Sequence, residues 1–155
     1  MCDYSLMMID NRLAVEGEHL VAHRFKSGSV GLVSMLDFTK WQLRPRGGFW
    51  QRCKECFSSR SEPAPVVCIP PGARLRVQAI PQTLRDRFGL DGNEDATFTQ
   101  ISADVNWHRD ALLFSNKATV LLQALPEGQA LKVLGLASSE ASEPVPAHVR
   151  FVPAA

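Results

Sequence analysis

Three times the chain places a glycine three residues ahead of an apolar residue on an alternating run: Gly17 with Leu20, Gly72 with Leu75 and Val77, and Gly128 with Leu131 and Val133. Glycine reaches the left-handed backbone that tight turns use, and side chains two apart on a strand share a face, so each unit reads as a turn feeding a strand. The segments Pro71-Gly72-Ala73-Arg74-Leu75-Arg76-Val77 and Glu127-Gly128-Gln129-Ala130-Leu131-Lys132-Val133 look alike. Hairpin grammar alone produces a unit this short, so no duplication is inferred.

Further strands are expected at His19 to Phe25, Ser29 to Val33, Val66 to Ile69, Ala96 to Ile101, Ala111 to Phe114 and Ala118 to Gln123, all bounded by Gly, Pro, Asn or Ser. Ser115-Asn116-Lys117 reads as a hairpin turn between the last two. Roughly eight short segments, most too closely spaced for an intervening helix, predict a mostly β fold and not a doubly wound α/β sheet. The expected architecture is a small barrel or sandwich with two or three short helices.

One helix is marked by Pro81 at its start, by Ile80, Leu84 and Phe88 at i, i+4 spacing, and by Gly89 as a left-handed stop. It is expected to plug an end of the barrel. Ser34 with Asp37 three residues on predicts an N-capped segment reaching about Leu43. A third helix, Gly48 to Ser58, places Phe49, Trp50, Cys53, Cys56 and Phe57 on one face and Gln51, Arg52, Lys54 and Glu55 on the other. Glycines before it and a polar, proline-containing run after it predict a loose tether. The expected organisation is one β-rich domain over residues 1–136, with residues 47–62 an inserted amphipathic helix and linker and residues 137–155 a flexible tail.

A chain of 155 residues has room for one ordinary domain, and 45% hydrophobic with 21% charged residues is too apolar for disorder. Seventeen basic against sixteen acidic residues give a net charge of +1, so no global field draws nucleic acid. The first ten residues lack the basic and apolar regions of a signal peptide, and no stretch approaches the ~18 apolar residues of a membrane span. A cytoplasmic protein is expected, with peripheral membrane contact left open. Four irregularly spaced cysteines suit a reducing compartment, although the even count leaves room for bridges.

Four groups of residues could carry chemistry. Cys53-Lys54-Glu55-Cys56 is a CxxC whose thiolates could chelate zinc or form a redox pair, or could serve as small hydrophobes on the amphipathic face. His19 and His23 share a strand face with Val21 and Phe25, but four residues along a strand span roughly 13 Å, too far for one metal. His108-Arg109-Asp110 gathers an imidazole, a guanidinium and a carboxylate, as a general base with an anion-holding Arg, or as a loop-anchoring ion pair. Cys2, exposed as an N-terminal residue by Met removal, would pair a thiol with an α-amine base as N-terminal nucleophile hydrolases do. The start is similar to that of a class II glutamine amidotransferase domain, without its size or its downstream glutamine-binding motifs. No glycine-rich phosphate loop, Ser-His-Asp elbow or HExxH is present, which disfavours the common cofactor enzymes.

Cys2-Asp3-Tyr4-Ser5-Leu6, Asn11-Arg12-Leu13-Ala14 with Glu16-Gly17-Glu18, Cys68-Ile69-Pro70-Pro71-Gly72-Ala73-Arg74-Leu75, Thr97-Phe98-Thr99-Gln100 and Arg109-Asp110-Ala111 together resemble a family of short, mostly uncharacterised proteobacterial proteins. The likeness covers residues 1 to about 136 and implies a bacterial, cytoplasmic protein and no particular reaction. In that family the stretch around Phe49-Trp50 is amphipathic without this CxxC, which weighs against a metal role for Cys53 and Cys56.

The leading expectation is therefore a non-enzymatic accessory module whose Gly48 to Ser58 helix offers Phe49, Trp50 and Phe57 to a partner protein, a second copy or a membrane surface. The alternatives are a small hydrolase or lyase using Cys2 or His108-Arg109-Asp110, and a zinc protein using its cysteines.

Overall fold

Most of the short alternating runs do become strands. The computed structural model describes residue 6 and residues 9–43, 64–101 and 108–136. In chain order these form β1 (Asn11–Leu13), β2 (His19–Arg24), β3 (Val30–Ser34), α1 (Met35–Gln42), β4 (Val66–Cys68), β5 (Arg74–Gln78), α2 (Gln82–Phe88), β6 (Glu94–Gln100), β7 (Asp110–Phe114), β8 (Thr119–Leu121), a 3-10 turn at Leu122–Ala124, and β9 (Ala130–Gly135). The nine strands make one mixed sheet in the order β1-β4-β3-β2-β9-β5-β6-β7-β8. The fold is mostly β, as the turn-and-strand pattern predicts.

Strand parity explains how the sheet curls. Leu20 and Ala22 of β2, Leu32 of β3, Leu75 and Val77 of β5, Phe98 of β6, Leu112 and Phe114 of β7, Val120 of β8 and Leu131 and Val133 of β9 all enter one buried cluster. Strands from both ends of the order thus share a single core, so the sheet is rolled into a barrel-like shape. Among the described residues its ladder does not close, because β1 and β8 stand at opposite ends of the order. Each fully buried Leu in this core contributes roughly 1.5–3 kcal/mol of transfer free energy.

A second cluster covers the outer face of β2, β3 and β4: Leu6, Val21, Phe25, Val33, Ala64 and Val66, with Ile9 and Phe38 of α1 against it. All five residues of β3 are buried in consequence. Burial on both faces is why Val30 to Val33 reads as a nearly continuous apolar run.

The turn glycines behave as expected: Gly72 and Gly128 have φ of 87° and 84°, a region in which side chains are strained. Gly89 ends α2 at φ 65°, ψ 47°. Pro81 lies one residue earlier than expected, at the cap and not in the first turn of α2. Leu84 and Phe88 rest on the main core beside buried Ile80. The β7–β8 hairpin tip completes this helix, since Asn116 Nδ2 donates to the carbonyls of Phe88 at 2.9 Å and Gly89 at 2.8 Å.

The structure departs from the sequence reading elsewhere too. The run Ala118 to Gln123 is strand only through Leu121 and then tightens into the 3-10 turn. β1 was not expected from local pattern; it pairs in parallel with β4, Asn11 opposite Val66 and Leu13 opposite Cys68. The expected Gly48 to Ser58 helix, its linker and the 137–155 tail lie outside the described residues.

Candidate functional site

The flank built by β1, the end of β2 and α1 carries the densest side-chain chemistry among the described residues. Glu18 accepts from Arg12 Nη2, from Arg12 Nη1 at 3.1 Å and from the Val15 amide at 3.1 Å. Burial pushes the Glu18 carboxyl up, but hydrogen bonds from Arg12, Val15 and the Ser34 side chain, with the guanidinium charge, outweigh it and hold the carboxyl below its ordinary value. The Arg12 guanidinium is raised, first by its hydrogen bond to Glu18. Its Nη2 also lies 3.9 Å from Asp37, which brings the first turn of α1 beside β1. Ser34 stands at the N-cap position of α1 without a side-chain cap bond.

A second group sits at the far end of β2. His23 Nδ1 lies 2.6 Å from Glu127 Oε1, while Glu127 Oε2 accepts the Arg24 amide at 2.6 Å. The imidazole meets Phe25 edge-on at 4.9 Å and Phe38 at 5.4 Å, and Phe38 stacks on Trp41 at 6.0 Å. A carboxylate on one ring nitrogen fixes the orientation of an imidazole, the arrangement used both in general bases and in structural latches. His19 and His23 occupy one strand face as expected, yet only His23 has this setting; His19 is exposed.

Around these groups lie large exposed apolar side chains. Leu13 is 71% exposed, Val15 62% and Leu36 72%, with Trp41 and Leu43 further along the α1 flank. Leu13 follows Arg12 on β1 and Leu36 precedes Asp37 on α1, the two elements that the Arg12–Asp37 contact brings together. Among the described residues the same flank is an open edge of the sheet. The Asp10 carbonyl accepts from Val66 N at 2.8 Å and Ala14 N donates to the Cys68 carbonyl at 3.0 Å. Alternation then turns the amides of Asn11 and Leu13 away from β4.

Of the residues singled out from sequence, Cys2, Phe49, Trp50, Cys53, Cys56 and Phe57 lie outside the described residues. His108 is exposed and Arg109 half-buried. Asp110 is 7% exposed and accepts from Gln100 Nε2 of the neighbouring strand at 3.0 Å. Asp110 also borders a small void with Leu6, Gly31, Cys68 and Phe98, of about 10 Å3, which is room for about one water. A wider depression of about 610 Å3 between Arg76, Asp91, Glu94 and Ser115 is open to solvent. There Arg76 holds Asp95 by two hydrogen bonds of 2.7 and 3.1 Å, and the Asp95 carboxyl is lowered, chiefly by that guanidinium.

No family model, curated protein or solved structure matches the chain. Its function has to follow from its own surfaces. Among the described residues no helix is long and apolar enough to cross a membrane, and no three His, Cys, Asp or Glu stand together as a metal-holding group. Cys68, 8% exposed at the end of β4, is disulfide-bonded.

The His23–Glu127 pair was not visible in the sequence, because 104 residues separate its members and no local motif announces it.

Proposed function

We propose that this protein is a non-enzymatic interaction module that receives an extended apolar segment of a partner protein along β1. The observation that carries this reading is the coincidence of a sheet edge that is unpaired among the described residues with large exposed apolar side chains at Leu13, Val15 and Leu36. Outward amides on a strand are satisfied by another strand, and apolar side chains beside them favour a segment with apolar residues at alternate positions. An exposed apolar edge is a liability that a soluble protein blunts unless the edge is used.

The test uses a displayed library of random extended peptides selected against the whole protein. Enriched peptides are expected to alternate apolar and polar residues and to protect the Asn11 and Leu13 amides from hydrogen exchange. They should lose at least roughly tenfold in affinity on Leu13→Lys, which places a charge on the edge without touching the core. Enriched peptides that protect another surface and ignore Leu13→Lys would overturn the reading.

A further inference from the structure

The two faces of β1 differ in kind. Leu13 pairs in register with Cys68 and Arg12 with Val67, so Leu13 lies on the face that also carries Val66 of the outer cluster, and Arg12 on the face that carries Val67 of the main core. Asp10, whose carbonyl accepts the Val66 amide at the start of the same ladder, falls on the Arg12 side by alternation. That side is charged. Both terminal nitrogens of Arg12 are turned onto Glu18, a side chain only 13% exposed, so the guanidinium is satisfied at the inner end of the face. Further out stand Asp37, 3.9 Å from Arg12 Nη2 and partly exposed, and the exposed Asp10. Lys40 lies 3.8 Å from Asp37 on a largely exposed side chain. Three carboxylates thus stand with Arg12 and Lys40, and two of the three face outward.

We propose that the segment received along β1 is basic as well as apolar: an extended stretch of a partner protein in which Leu, Ile or Val alternates with Lys or Arg. This rests on the reading of β1 as a docking edge and adds the chemistry of what docks there. Directly opposed residues of neighbouring strands point to the same face, so a strand laid on β1 sets one parity against Leu13 and the other against Asp10 and the Arg12–Asp37 contact. Apolar residues suit the first parity. Cations suit the second, because opposite charges across a strand pair attract, whereas an acidic residue there would meet Asp10 and Asp37. Glu18 adds to the same sign, since its carboxyl is held below its ordinary value and stays ionised at neutral pH. The field of the whole molecule cannot supply this preference. A net charge of +1 draws an acidic segment at long range and not a basic one, so a basic preference has to come from this face.

The experiment titrates the whole protein with three short fluorescein-labelled peptides that alternate Val with Lys, with Ser or with Glu, and follows binding by fluorescence anisotropy. The Val–Lys peptide is expected to bind at least roughly tenfold more tightly than the Val–Glu peptide at low salt, with Val–Ser between them and the gap narrowing as salt is raised. Asp10→Asn combined with Asp37→Asn should shrink the Lys-over-Glu ratio at least roughly threefold, a ratio that a general loss of folded protein leaves unmoved. Hydrogen exchange at the Asn11 and Leu13 amides locates the bound peptide. Peptides that protect these amides but bind with equal affinity, or with Val–Glu the tightest, overturn the basic preference and leave the docking edge standing. A preference that survives the double substitution overturns it as well. Peptides that protect other residues overturn the docking reading and this inference with it. Concentration-dependent protection of the two amides with no peptide present assigns the edge to a second copy of the chain, which also overturns the proposal.

Discussion

The carboxamide of Gln123 lies flat against the main chain of Val30: its Oε1 accepts the Val30 amide at 3.0 Å and its Nε2 donates to the Val30 carbonyl at 3.2 Å. Both bonds copy a strand ladder with one side chain. They fill the part of the β3 edge that β4 does not reach, since β4 pairs only at Val33. This contact brings the end of β8 to β3 and draws the rolled sheet together where its ladder remains open.

Replacing Gln123 with Ala should therefore leave two polar groups of a buried residue without partners. An expected loss of about 2 kcal/mol corresponds to a melting temperature lower by roughly 5 °C. Gln123→Glu should recover little, because a carboxylate has no hydrogen to give the Val30 carbonyl. Thermal unfolding followed by circular dichroism checks both, and a Gln123→Ala protein as stable as wild type would exclude the closing role.

Glu18 makes stability depend on pH in a definite direction. Its carboxyl is lowered in the folded protein from the ordinary 4.5, so its contribution is complete above that value and is lost as pH falls through the folded value. Glu18→Gln is expected to cost about 1–2 kcal/mol at neutral pH and progressively less in acid below the ordinary value. Asp95 is lowered too, but it is present in both proteins and drops out of the difference. Urea unfolding at a series of pH values reads the effect; a gap that widens in acid would contradict the assignment.

Glu127→Ala removes the carboxylate from both His23 and the Arg24 amide. The expected cost is about 1–2 kcal/mol in urea unfolding, with Glu127→Gln intermediate because its oxygen still accepts the amide bond. Faster hydrogen exchange should be confined to the end of β2 and the turn before β9. Equal stability of all three proteins would reduce the pair to a surface contact.

Gly31 stands where a side chain has no room. A Cβ there would lie 2.7 Å from Leu6 Cδ1 and 2.9 Å from Phe25 Cε2. Leu6 and Phe25 belong to the buried outer cluster, so relief requires that cluster to shift, and Gly31→Ala is expected to cost about 1–3 kcal/mol. Calorimetry of the variant tests this, with an unchanged melting temperature as the contrary outcome.

What the sequence determined by itself is the local grammar. Alternation at Arg74 to Gln78 and Ala130 to Gly135, the glycines ahead of them and the stop at Gly89 depend on residues a few positions apart, and each is present in the fold. Pairing was decided only in three dimensions. Nothing local in Asn11-Arg12-Leu13 marks a strand, and it becomes one because β4, more than fifty residues on, supplies its ladder. Leu122 leaves the strand direction because the following turn carries Gln123 to Val30, 93 positions away. His19 and His23 share one strand face, yet Glu127 meets His23 alone, because the turn before β9 passes that end of β2. Hydrophobic period and turn chemistry are short-range properties of the chain, whereas partners of polar groups and the open edge of a sheet depend on which strands meet after collapse.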